Sequence, residues 1–133
     1  MRILLTTRGS SGHVGPLAPF GRAWARAGHE VTVAAQRQHE ANVARTGLPF
    51  ASFDDPPREE WMPLMGEFAK LDIATAHEVM IRDFFAGIDV RAELPGLRAI
   101  AEEVRPHVIV RESWEFGSTL VGELYDIPLA RVG

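Results

Sequence analysis

The amino-acid sequence predicts an α/β domain built on a doubly wound, mainly parallel sheet of Rossmann-like type. Three observations carry this prediction. Short apolar runs rich in strand formers recur along the chain, stretches with helical periodicity separate them, and a glycine-rich segment follows the first run. Crossover segments of helical length join strands in parallel, with right-handed connections and helices covering both faces of the sheet.

Taken in order, Ile3 to Thr7 form the first strand, and Gly9, Ser10, Ser11, Gly12 and Gly15 then break regular structure into a flexible loop. Pro16 suits the first turn of a helix, along which Leu17, Phe20, Trp24 and Ala27 repeat at spacings of three and four until Gly28 closes it. Val31 to Ala35 read as the second strand, Gln38 to Arg45 as a short helix stopped by Gly47, and Leu48 to Phe53 as the third strand. Pro56 and Pro57 make Asp54 to Arg58 a loop, with Asp54 and Asp55 as turn residues. Trp61, Leu64, Met65 and Phe68 return to helical spacing, and Met80, Phe84 and Phe85 continue the apolar content. Leu94, Leu97, Ala101 and Val104 define a further helical stripe whose course around Pro95 and Gly96 the pattern leaves open. Val108 to Val110 read as a buried strand, Phe116 to Tyr125 as a helix, and Leu129 to Val132 as another strand. A parallel strand at the last residues, with no covering helix after it, predicts that residues 1–133 are an incomplete domain.

Composition excludes several classes of function. At 133 residues, with 46% hydrophobic and 24% charged residues, the chain has the balance of one folded core. The net charge of −4 and the singly scattered basic residues argue against nucleic-acid binding. The lack of cysteine rules out disulfides, thiolate zinc sites and a cysteine nucleophile. No apolar stretch approaches the ~18–20 residues that span a bilayer. The first strand starts at Arg2, which leaves no room for an export leader, so the expected location is cytoplasmic.

The segment Gly9 to Pro16 is the first candidate for chemistry. Small residues let backbone amides approach a ligand, and a helix start favours negative charge. Its glycines run G-x-x-G-x-x-G, matching neither the dinucleotide fingerprint nor the P-loop, and Gln36 and Arg37 stand where nicotinamide binding expects an acid. His13 lies within this segment, where a neutral imidazole can take up a proton near neutral pH. His29, His39, His77 and His107 show no metal-ligand spacing and read as solvated.

The run GSSGHVGPLAPFGRAWARAGHEVTVAA resembles the amino-terminal signature of the GT-B glycosyltransferases that decorate bacterial natural products, and RPHVIVRESWEFGSTLVGELYDIPLARVG fits the same family late in its first domain. The resemblance implies the amino-terminal half of a GT-B fold. It implies that the histidine at position 13 deprotonates an acceptor hydroxyl, which attacks the anomeric carbon of a nucleotide-diphosphate sugar with inversion and without a metal. It also implies a carboxylate that orients the imidazole. Where the family commonly has Asp, this chain has Glu112, one methylene longer, with Glu115 near enough in sequence to compete. By the same resemblance, Ser10, Ser11 and Gly12 offer donors to the co-substrate, while Trp61, Met65, Phe68, Met80, Phe84 and Trp114 border the pocket for a small hydrophobic acceptor. The resemblance further implies no bound cofactor and a nucleotide-sugar domain beyond Gly133, so that the chain alone is inactive. Two alternatives stay open: a binding module or truncated relic that holds a hydrophobic molecule without chemistry, and a dinucleotide- or flavin-binding domain.

Overall fold

The computed structural model describes residues 1–133. Five parallel strands, β1 (Arg2–Thr6), β2 (Glu30–Gln36), β3 (Phe50–Phe53), β4 (Val108–Glu112) and β5 (Leu129–Val132), form one sheet in the order β3-β2-β1-β4-β5. The chain moves outward from β1 to β2 and β3, then returns to add β4 and β5 on the other side. Strand order therefore reverses between β1 and β4, and ligands of open α/β sheets collect at the carboxyl ends of the strands at such a point.

Alternation along the strands builds two cores. Ile3, Leu5, Val31, Val33 and Val110 face helix α1 (Ser11–Arg26) and the short α2 (Glu40–Ala44), meeting Val14, Val43 and Leu48. Leu4, Ala34 and Ile109 face the opposite way, against Leu97, Ile100 and Ala101 of α5 (Val90–Val104) and Val121 of α6 (Gly117–Tyr125). Both faces of the central strands are dry, as a parallel sheet requires. The α/β doubly wound fold expected from the sequence is thus the fold observed.

Two expectations need correction. The glycine-rich segment is not a loop up to Pro16, because α1 already begins at Ser11. Ser10 is extended, and its carbonyl accepts from the N–H groups of His13 and Val14, both at 2.9 Å. Burial of Val14, Leu17, Ala18 and Gly21, at the spacing of one helix face, carries the helix through Gly15 and Pro16. The apolar stripe is correspondingly rotated from the one read off the sequence, leaving Phe20 exposed.

The region after β3 also differs from a plain helical stripe. Helices α3 (Arg58–Phe68) and α4 (Ile73–Val79) are followed by a π-helical segment, Met80–Asp89, that runs directly into α5. α5 continues unbroken through Pro95, which lies on its exposed side. Gly96 faces β3, where an added Cβ would stand 2.7 Å from Phe53 Cβ and 3.0 Å from its Cα. Gly96→Ala is therefore expected to destabilise the fold by roughly 1–3 kcal/mol, as overpacking against backbone does. Urea unfolding measures this, and an unchanged midpoint would show that α5 can back away from β3. No helix is long and apolar enough to cross a membrane.

Candidate active site

His13 and Glu112 meet at the point where strand order reverses. Val110 packs on the α1 side, so the alternation of β4 sends Glu112, two residues on, toward α1 as well. His13 occupies the first turn of α1, and its Nδ1 lies 3.1 Å from Glu112 Oε1. Glu112 Oε2 accepts from the backbone N–H of Trp114 at 2.8 Å, and Oε1 is approached by the N–H of Arg8 at 3.5 Å. The second oxygen is thus tied to the loop that follows β4, which accommodates the extra methylene. A carboxylate that is buried and approached on both oxygens thus stands against the Nδ1 edge of the ring.

The imidazole lines two cavities. One of about 250 Å³ is bordered by His13, His77, Met80, Ile81, Phe85 and Trp114, mostly apolar. The other, about 230 Å³, includes Gly12, His13, Pro16, Glu112, Ser113 and Trp114. A larger void of about 560 Å³ sits between α6 and β5, and none of its lining residues belongs to the imidazole–carboxylate pair. The imidazole–carboxylate pair, and not size, marks the site.

The other residues predicted from the sequence are distributed unevenly. Met80 and Trp114 line the apolar cavity. Phe84 is buried behind it, edge-on to Phe85 at 5.3 Å between ring centroids. Trp61, Met65 and Phe68 do not border it; they are half-buried on α3, a helix with no fully buried residue. Gly12 borders the second cavity, whereas Ser11 opens onto a groove with Arg22, Asn42 and Arg45. Ser10 caps α1 through its backbone, its side chain making no capping hydrogen bond.

Glu115 does not compete for His13. It lies fully buried and accepts from the N–H of Ser118 at 2.7 Å and from the Ser118 hydroxyl. Beside it Glu93 accepts from the N–H of Gly117 at 2.8 Å, while Glu93 Oε2 is buried without a hydrogen-bond partner. Burial, with the charges of Glu115 and Asp89 adding to it, pushes the Glu93 carboxyl up to about 9. Burial likewise raises Asp89 to about 6, against the opposing pull of Arg8, with which it forms an ion pair. The His39 imidazole is lowered, chiefly by burial, with Arg8 and His13 adding to it and Asp55 opposing.

Sequence reasoning missed His77 and Ile81 as cavity residues and gave no role to Arg8. His77 falls on the short α4, and only its register onto the π-helical segment brings it toward His13. Arg8 carried no motif. Its place at the exit of the central strand was the available signal.

No protein-family model matches the chain. It is 31% identical over 135 residues to L-demethylnoviosyl transferase of Streptomyces niveus, an alignment covering 98% of this chain and 34% of that protein. Among solved structures, the Streptomyces sp. SF2575 glycosyltransferase SsfS6, complexed with thymidine diphosphate, superposes with a TM-score of 0.72 at 28% identity over 98% of this chain and 38% of its own. The spinosyn rhamnosyltransferase SpnG, complexed with spinosyn aglycone, shares the fold at a TM-score of 0.77 and 24% identity, over 98% of this chain and 34% of its own. The chain spans about a third of the length of the curated relatives it matches. The chain is thus similar in sequence to about a third of such transferases, and its five-stranded parallel α/β sheet is the fold of the amino-terminal half of the GT-B glycosyltransferases.

Proposed function

We propose that this chain supplies the acceptor pocket and the general base of an inverting glycosyltransferase, which moves a sugar from a nucleotide-diphosphate sugar to a hydroxyl of a small hydrophobic acceptor. The observation that carries this reading is the 3.1 Å contact between His13 Nδ1 and Glu112 Oε1 beside an apolar cavity. His13 Nε2 accepts the hydroxyl proton while the acceptor oxygen attacks the anomeric carbon from the face opposite the leaving group. The bond to the diphosphate breaks, and its electron pair leaves with the nucleotide. The proton stays on the imidazole, whose positive charge Glu112 stabilises. Met80, Phe85 and Trp114 hold the acceptor by its apolar surface.

In this reading the nucleotide-sugar site belongs to chain outside these 133 residues. Support comes from the threefold greater length of the relatives and from thymidine diphosphate in the SsfS6 complex. The test supplies a thymidine-diphosphate sugar and a hydrophobic phenol to the longer enzyme and, separately, to the isolated chain. The longer enzyme is expected to give a product of inverted anomeric configuration by nuclear magnetic resonance, and the isolated chain no turnover. A product of retained configuration would remove His13 from the role of base, and turnover by the isolated chain would refute the division of labour.

A further inference from the structure

We propose that Arg8 is a positioning residue that holds the π-helical segment Met80–Asp89 in register, so that Phe85 and Met80 face His13 as the wall of the acceptor cavity. The inference rests on the acceptor-pocket reading for its functional meaning, but its structural content stands apart from it.

The winding of the segment is the starting point. Hydrogen bonds of a π-helix reach from residue i to i+5, and its winding is wider than that of an α-helix, so side chains five apart lie closer to a common face than they would in an α-helix. Here Met80 and Phe85 both line the cavity, while Phe84 and Asp89 are the two buried residues of the segment. Each of these pairs is five residues apart. In an α-helix, at roughly 100° per residue, residues five apart would diverge by about 140°. Ordinary helical winding would set the members of each pair well apart, although Ile81, four residues before Phe85, lines the cavity beside Met80.

Long π-helical stretches are rare, so something must favour this one over the α-helices flanking it. Arg8 touches the buried stripe along its length. Its guanidinium pairs with Asp89, and its centre lies 5.0 Å from the ring centroid of Phe84 and 4.5 Å from that of Phe85. Asp89 is fixed further by Gln36 Nε2 at 2.9 Å. Phe85 in turn packs on Trp114, with centroids 5.1 Å apart. Arg8 also sends its backbone N–H toward Glu112 Oε1. A single residue at the exit of β1 thus joins the pocket wall to the carboxylate beside His13. A guanidinium held over aromatic faces and paired with a buried carboxylate fixes both distance and rotation, which a flexible ammonium does less well.

The experiment uses the 133-residue chain with Trp24→Phe and Trp61→Phe, so that Trp114 alone reports on its contact with Phe85. Arg8→Met keeps the apolar stem and removes the guanidinium; Asp89→Asn keeps shape and removes the charge. Both are expected to red-shift Trp114 emission and to raise its quenching by acrylamide about twofold, with Arg8→Lys restoring part of the effect. Gly21→Ala, which crowds Leu48 and Leu5 on the opposite face of the sheet, should leave both signals unmoved, which separates positioning from general loosening. If Arg8→Met does not fold by far-ultraviolet circular dichroism, Asp89→Asn decides. Folded variants with unchanged Trp114 signals would overturn the proposal. Titration with alizarin, a planar phenol, separates the two readings. Failure of the wild-type chain to bind it would count against the acceptor pocket, while the Trp114 response would still judge Arg8.

Discussion

On the proposed mechanism, replacing His13 by Ala in the proposed longer enzyme is expected to lower kcat by about 10²–10⁴-fold, the usual contribution of a positioned general base. The KM for a hydrophobic acceptor should change little, because Met80, Phe85 and Trp114 supply the apolar contact and the imidazole forms only one edge of the cavity. Glu112→Gln is the companion variant. It preserves the length of the side chain and the acceptor for the Trp114 N–H, but it removes the charge that stabilises the imidazolium and allows the amide to present a donor to Nδ1. Since the proposed role of Glu112 runs through its 3.1 Å contact with His13 Nδ1, the double variant should lose little more than His13→Ala alone. Glu112→Asp asks a different question. A shorter carboxylate cannot serve both Nδ1 and the Trp114 N–H from the same backbone position, so a partial loss is expected. Steady-state kinetics of the four variants checks the set. A kcat for His13→Ala equal to that of wild type would return the histidine to the role of a helix-start residue, and fully additive losses would mean that the pair does not act as a unit.

The fold was legible because its signals are local. The apolar runs Ile3 to Thr7 and Val31 to Ala35, with a helix-length segment between them, predict parallel pairing, and β1 and β2 form and pair in parallel there, β1 ending at Thr6. The pairing of position 13 with position 112 was legible only through resemblance, since no spacing rule links residues so far apart; the sheet order puts them side by side. Other features were not in the pattern. The start of α1 at Ser11 depends on tertiary burial of Val14 and Leu17, which overrides the two glycines and the proline. Trp61, Met65 and Phe68 share helical spacing with one another, but periodicity says which residues share a face and not what that face meets. The π-helical winding of Met80–Asp89 escaped for a related reason. A five-residue stripe reads as noise against a period of 3.6, and Arg8, which holds it, carries no motif.

Glu93→Gln is expected to stabilise the chain, and to do so more strongly as pH rises. Glu93 titrates at about 9 in the folded chain against its ordinary 4.5, because burial and the charges of Glu115 and Asp89 penalise its ionised form. Within that window the folded state holds a proton that the unfolded state has lost. Each pH unit therefore removes about 1.4 kcal/mol of stability on account of this one group. Glutamine, neutral at every pH, keeps an oxygen for the Gly117 N–H and abolishes that dependence. The advantage of Glu93→Gln over wild type, measured by urea unfolding, should grow by about 3 kcal/mol between about pH 6.5 and about pH 8.5. Asp89, at about 6, and His39, lowered from 6.5, titrate in both proteins and largely cancel in the difference. The charge of Glu115 adds to the penalty on ionised Glu93, so Glu115→Gln should bring the Glu93 carboxyl down and narrow the window from its alkaline end. A pH-independent difference between Glu93→Gln and wild type would show that water or a neighbouring cation already compensates the ionised form.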